Sequence, residues 1–292
     1  MGKSREIKGR IRAVKNIQRI TRTMQMIATS KFAKAQQAAV SSKPYTEGLF
    51  DLVAQLASGD EIDHPLLRPA TASGEPKEIT LVLTSERGLA GPYNANIIRL
   101  ALRHLREHPA ARRGPVQLVG KKGLAALTFA GIDIAKKHDQ FGDKPSYEDV
   151  ERLGQSYIDA FTAGEVSAVR VIYMKYISAG RQTPTVLQLL PFEKPEALEE
   201  AADKGASAPY EFTPSAEELL DTLLPAAVKA TLFQCFNDAI VSEHVARMVA
   251  MKAATDNAGK MGKALKRRYN RARQAQITTE LTEIISGAAA LE

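Results

Sequence analysis

Thr213-Pro214-Ser215-Ala216-Glu217-Glu218-Leu219-Leu220 opens a helical period that does not stop before the chain does. Thr213 can cap a helix, Pro214 suits its first position, and Glu217 and Glu218 favour the positive end of the helix dipole. The apolar stripe then runs through Leu220, Leu224, Val228, Leu232, Phe236, Ile240, Val245, Met248 and Met251. It continues more weakly at Met261, Leu265, Tyr269 and Ala272, and again at Leu281, Ile284, Ile285 and Ala288. A helix of this extent would be on the order of 110 Å long, more than a compact domain needs.

The other end mirrors it. From about Ser4 to Ala57 the chain reads as one helix, with Ile7, Ile11, Val14, Ile17, Ile20, Met24 and Ile27 in steps of three and four. Pro44 should kink it or mark a bend. Two long helices, each with a seam, predict an antiparallel coiled coil, with the region of Met24 beside the last third of the C-terminal helix.

Between them the character changes. Ile79-Thr80-Leu81-Val82-Leu83-Thr84 is a continuous apolar run, as expected of a strand covered on both faces. Ser85 to Gly91 reads as a turn and Tyr93 to Glu107 as a helix. Val116 to Val119 reads as a strand, Lys121 to Phe129 as a helix, Ile132 to Ala135 as an edge strand and Tyr147 to Phe161 as a helix. Val166 to Tyr176 and Val186 to Leu190 complete a mostly parallel, doubly wound sheet. The expected class is therefore a long antiparallel coiled coil plus a central Rossmann-like α/β domain. The expected divisions are 1–57 for the first helix, 58–76 for a linker rich in Pro, Gly and Ser, and 77–192 for the α/β domain. An acidic, Ala-rich linker follows at 193–212, and the last helix occupies 213–292.

The composition is that of a water-facing protein: 44% hydrophobic and 25% charged residues. Aromatics at 6% and no Trp suggest packing through aliphatic helix faces. The single cysteine, Cys235, excludes an intrachain disulfide. No apolar run approaches the roughly 20 residues of a membrane span, and the opening Met1-Gly2-Lys3-Ser4-Arg5 has no apolar signal core. The formal net charge of +7 is concentrated at the start. Lys3, Arg5, Lys8, Arg10, Arg12, Lys15, Arg19, Arg22, Lys31, Lys34 and Lys43 face only one acid, Glu6. Such a stretch suits an acidic partner, whether nucleic acid, membrane headgroups or acidic protein loops.

Motifs for catalysis are sparse. Gly88-Leu89-Ala90-Gly91 lies between a strand and a helix, where a phosphate could sit, but it lacks GxGxxG spacing and reads as a tight turn. His104 and His108 have metal-ligand spacing without a third ligand, and read as a solvated helix terminus. Cys235 lies among Leu232, Phe233 and Phe236 and reads as core.

Four longer stretches carry a family resemblance. Arg10-Ile11-Arg12-Ala13-Val14-Lys15-Asn16-Ile17-Gln18-Arg19-Ile20-Thr21-Arg22-Thr23-Met24-Gln25-Met26-Ile27-Ala28 resembles the opening helix of the gamma subunit of F-type ATP synthases. Thr84-Ser85-Glu86-Arg87-Gly88-Leu89-Ala90-Gly91 is similar to that family's glycine turn. The strongest likeness is Ser242-Glu243-His244-Val245-Ala246-Arg247-Met248-Val249-Ala250-Met251-Lys252-Ala253-Ala254-Thr255-Asp256-Asn257, followed by Tyr269-Asn270-Arg271-Ala272-Arg273-Gln274-Ala275-Gln276-Ile277-Thr278. Ala90 stands where the family usually has cysteine, and Pro92-Tyr93 replaces a softer Gly-Leu. Plant relatives carry a regulatory cysteine pair, which this chain lacks.

The resemblance implies a non-catalytic rotor with no cofactor, peripheral on the cytoplasmic side of a bacterial inner membrane. It implies a proton-driven ring of c subunits below, an ε subunit on the foot, and catalytic α and β subunits around the upper coiled coil. It assigns Arg273, Gln274 and Thr278 as polar contacts to that stator ring, with Ile20, Arg22 and Met24 facing it from the first helix. Glu280, Leu281, Ile284, Ile285 and Ala288 would sit in an apolar sleeve at its top. Tyr210 and Glu211 match positions at the c ring and ε. Two other classes remain open from the residues: a basic coiled-coil nucleic-acid binder, with a steep salt dependence, and a nucleotide-dependent α/β enzyme, with turnover of its own.

Overall fold

The computed structural model describes residues 2–56, 64–68, 75–142, 144–192 and 216–289. The chain divides into two compact units, one of residues 1–30 with 247–292 and one of residues 31–246. Helix α1 (Gly2–Leu56) and the last helix, α6 (Ala216–Ala289), contribute to both, and α1 stays helical through Pro44.

The unit of residues 31–246 is built on a five-stranded sheet of order β3-β2-β1-β4-β5. The strands are β1 (Glu78–Leu83), β2 (Val116–Val119), β3 (Ile134–His138), β4 (Ala168–Ser178) and β5 (Arg181–Leu190). All pairs are parallel except the β4–β5 hairpin. Alternation along β1 divides the core. Ile79, Leu81 and Leu83 face α5 (Tyr147–Thr162), the end of α1 and the stretch of α6 from Leu220 to Ala239. Val82 faces α2 (Tyr93–Glu107), α3 (Pro109–Arg113) and α4 (Leu124–Phe129). The sheet is thus covered on both faces, as its unbroken apolar runs require. Ser146 caps α5 by accepting from the Asp149 N–H at 3.1 Å. Part of α6 is apolar enough by composition to pass for a membrane span. Its residues Leu220, Leu224, Val228, Leu232 and Phe236 are instead buried against the sheet.

Most expected elements are present. The expected helix from Lys121 begins only at Leu124, because residues 121–123 form a turn, and the short α3 was not expected at all. The edge strand starts two residues later than expected, at Ile134.

The unit of residues 1–30 and 247–292 is an antiparallel helix pair. Ser4 Oγ donates to Gln276 Oε1 at 3.0 Å, and Thr255 Oγ1 donates to Thr21 Oγ1 at 2.8 Å. A Cβ added at Gly262 would sit 3.8 Å from Val14, and one at Gly259 would sit 3.0 Å from the Gln18 amide. This register corrects the expected one. With Thr21 at Thr255, Met24 lies opposite the middle of the last helix, not its last third.

Candidate partner-binding surfaces

The seam of the helix pair is narrower and more polar than the isoleucines suggest. On α1 the covered positions are Ser4, Ile7, Ile11, Val14, Gln18, Thr21, Met24, Gln25 and Ala28. On α6 they include Met251, Thr255, Ala258, Gly262, Leu265, Tyr269, Ala272 and Gln276. Both follow alternating steps of three and four, the repeat of a coiled coil. Ile17, Ile20 and Ile27, expected within the seam, are 51%, 55% and 53% exposed. The expectation followed hydrophobicity, whereas small and polar residues hold the seam and let the helices approach closely. The isoleucines therefore form a second, outward ridge. Met261, also placed on the stripe, is exposed as well.

At Gln276 the last helix meets Ser4 of α1, the last contact of the pair given by a hydrogen bond among the described residues. Every residue from Ile277 to Ala289 is exposed, a single helix of about 20 Å. Leu281, Ile284 and Ile285 are among them, with Arg273 and Gln274 just before. Thr278 Oγ1 donates to the Gln274 carbonyl at 3.0 Å, and Glu280 accepts from the Gln276 amide at 2.9 Å. Of the residues assigned to a stator contact, Ile20, Arg22, Arg273, Gln274, Thr278, Glu280, Leu281, Ile284, Ile285 and Ala288 are exposed, and Met24 is half-buried in the seam. Tyr210 and Glu211 lie outside the described residues.

In the sheet unit, a crevice opens at the carboxyl ends of β1 and β2, beside the β1–β4 switch point at which a doubly wound sheet of this order would take a ligand. The glycine turn there has Leu89 at φ 64° and Gly91 at φ 56°, and its polar groups are engaged locally. The Ser85 N–H donates to Asn94 Oδ1 at 3.0 Å, and Ser85 Oγ donates to the Arg87 carbonyl at 2.7 Å. Phe236, Ala239, Ile240 and Glu243 of α6 close the crevice against Thr84 and Tyr93, leaving about 30 Å³, room for one water. Tyr93 OH donates to the Ala239 carbonyl at 3.1 Å, and Ser242 Oγ donates to that of Met174 at 3.2 Å.

His104 corrects the expectation of a solvated helix end. It is 3% exposed, and its Nε2 lies 2.7 Å from Oε1 of the equally buried Glu78. Thr80 Oγ1 donates to Glu78 at 3.3 Å, and Arg170 lies 3.5 Å from its other oxygen. The exposed His108 ring stacks on His104 at 4.3 Å. A carboxylate starting a buried strand needs such partners, and that need was the missed signal.

Other groups of the sheet unit have displaced proton affinities. Burial, then the Lys136 charge, pushes His138 down to about 4. Its Nε2 meets Gln117 Oε1 at 2.7 Å, an oxygen that also accepts from Tyr157 OH at 2.9 Å, so the ring donates there as a neutral imidazole. Cys235 is core, as expected. Burial and the nearby Asp238 push its thiol well up, which makes it a poor nucleophile. Asp238 itself is pushed up to about 6, chiefly by burial.

A family model described as ATP synthase matches residues 3–291. The chain is 41% identical to the ATP synthase gamma chain of Rhodopirellula baltica over 100% of both chains. The chain belongs to the ATP synthase gamma chain family. Among solved structures it is similar in fold to a chain of the Euglena gracilis mitochondrial ATP synthase rotor, with TM-score 0.60, 17% identity and coverage of 94% of this chain and 99% of that one. A second chain, from the Euglena OSCP/F1/c-ring assembly, matches with TM-score 0.64 at 18% identity, covering 99% of this chain and 95% of that one. As a gamma chain, the protein is a component of an ATP synthase, as the opening-helix, glycine-turn and C-terminal motifs led one to expect.

Proposed function

We propose that the chain is the central-stalk rotor subunit of a proton-translocating F-type ATP synthase, coupling rotation of a membrane c ring to ATP synthesis or hydrolysis at the α and β subunits. In this reading the chain carries no catalysis of its own. The observation that carries it is the tip of α6, an exposed single helix whose Ile277, Leu281, Ile284 and Ile285 are 53%, 57%, 71% and 59% exposed. An apolar free end is a liability unless a partner encloses it. The curated relative is a gamma chain, and the similar Euglena chains come from a rotor and from an assembly with F1 and c ring.

The top of the α and β ring would form that enclosure around Glu280, Leu281, Ile284, Ile285 and Ala288. Arg273, Gln274 and Thr278 would offer it polar contacts, and Ile20, Arg22 and Met24 would face it from α1. The foot, residues 77–192 with linkers 58–76 and 193–212, would meet the ε subunit and the c ring, the latter through Tyr210 and Glu211. The complex would be bound to the cytoplasmic face of a bacterial inner membrane. An asymmetric rotor makes the free energies of three equivalent sites differ, which is coupling by linkage. Purified alone, the chain should not hydrolyse ATP, and adding it to α and β subunits should raise their ATPase activity. Turnover by the isolated chain, abolished by a point substitution within it, would overturn the proposal.

A further inference from the structure

Strand β4 runs further than the sheet around it. It pairs with β1 from Ala168 to Ile172, whereas its pairing with β5 continues to Ser178 and Arg181. Residues 173–178 and 181–185 thus form a two-stranded overhang, and two strands alone have little stability of their own. Its tip is in water: Ile177, Ser178, Ala179, Gly180 and Arg181 are exposed. Its other end is held by α6. Tyr173 enters the core beside Cys235, and Ser242 Oγ donates to the Met174 carbonyl at 3.2 Å. The Tyr176 N–H donates to the Asp238 carboxyl group, whose Oδ1 also accepts from Gln234 Nε2 at 2.9 Å. Helix α1 adds the Phe32 ring, centred 6.3 Å from that of Tyr176.

Asp238 is the one carboxyl group among these ties, and closing the overhang over it shuts water out. Lys175 of β4, itself exposed, faces it as a cation. The Tyr173 hydroxyl and the Cys235 thiol also lie close, and stay neutral because burial, reinforced by the Asp238 charge, pushes both well up. Lys31 and Lys34 stand near Phe32 on α1. Burial outweighs the two hydrogen bonds and Lys175, so the docked carboxyl group is pushed up to about 6. Lifted into water with the overhang, it would return to its ordinary 3.8. The docked state therefore binds the proton more tightly, and by linkage the proton favours docking. That advantage is complete below 3.8 and is lost as the pH rises through about 6. The acid form keeps an oxygen for the Tyr176 N–H and sheds the half-buried charge.

We propose that Asp238 is a proton-operated latch between α6 and the β4–β5 overhang: protonated, it lets the overhang lie closed on the helix, and ionised, it loosens that contact. Acidification then stiffens the hairpin against α6, whereas neutral pH frees its Ile177 end to lift. The latch is a property of the chain itself and does not depend on the rotor proposal.

Hydrogen exchange in the full-length chain reads the latch directly. For a carboxyl group that moves from about 6 docked to 3.8 free, the opening constant should rise about tenfold between pH 5 and pH 7.5. Amide protection along residues 173–178, corrected for intrinsic exchange, should fall by that factor. Protection at Leu81–Leu83 should not fall, because opening of the whole unit also releases His138, whose titration runs the other way. Asp238→Asn, a neutral side chain of the same shape, should hold the overhang alike at both pH values. The chain has no Trp, so Ile177→Trp places a single fluorophore at the tip. Its anisotropy should rise from pH 7.5 to pH 5, and should not when Asp238→Asn is added. Overhang protection that ignores pH, the same pH dependence in Asp238→Asn, or an equal fall at Leu81–Leu83 would each overturn the proposal.

Discussion

The helix pair and the sheet unit solve the burial problem in different ways. Among the described residues of the helix pair only Val14, Ala28, Met251 and Ala258 fall below a tenth exposed, and Thr21, Thr255 and Gln18 share the seam with glycines. In the sheet unit Leu81, Ile97, Leu118, Leu127, Ile172, Leu189 and Leu224 are fully enclosed. One region is a thin contact between long solvated surfaces, and the other a core closed on both sides of a sheet. The contrast teaches that free energy of folding is concentrated in residues 31–246. The pair opens more easily and owes more to whatever surrounds it.

Core truncation should expose the difference most sharply. Leu81→Ala, at a site with no exposure, should cost about 3 kcal/mol in urea unfolding. Val14→Ala in the seam should cost about 1 kcal/mol, and in the transition that reports the helix pair. Equal costs in a single shared transition would break the comparison.

A smaller effect follows from pH and belongs to the sheet unit. His138 binds its proton at about 4 when folded and at about 6.5 when unfolded. Its contribution is therefore complete above pH 6.5 and is lost as the pH falls towards 4, by ~2–3 kcal/mol. Asp238 works in the opposite sense: its folded value of about 6 lies above the unfolded 3.8, so acid relieves a penalty over much the same range. The two partly cancel. Asp238→Asn removes the compensation, and its unfolding midpoint should drop more steeply between pH 7 and 4.5 than that of the unaltered chain. An unchanged slope would show that Asp238 does not hold its proton in the fold.

The smallest effect is in the pair. Gly262→Ala should stabilise it by about 1 kcal/mol, because the added methyl meets Val14 at an ordinary 3.8 Å and alanine is the better helix former. A loss of stability would mean that the seam is tighter than its small residues suggest.

How much of this was legible follows the same division. The sheet could be read because a strand covered on both faces must be apolar throughout, as Glu78–Leu83 nearly is. Its one charged residue, Glu78, was missed because its partners His104 and Arg170 lie far along the chain and only the fold joins them. The long helices were legible from their period. Their seam was not, since Gln18, Thr21 and Gly262 carry no hydrophobic signal, and the isoleucines beside them carry a strong one. The register of Met24 failed for that reason. The apolar residues of the tip could be read from sequence, whereas their exposure depends on the register that sets Ser4 against Gln276.

The closed crevice of the sheet unit has a mechanical consequence. A bound ligand can leave its site, but a stretch of helix continuous with the rest of the chain cannot. From Leu220 to Val245, about seven turns of α6 are buried along one side. A twist of one residue about the helix axis is about 100°, enough to carry Leu224, Val228 and Phe236 out of the core at once. Close-packed interiors do not yield gradually to such a load. Torque entering this part of α6 is therefore resisted by side chains gripping a lever along the sheet face that α5 shares.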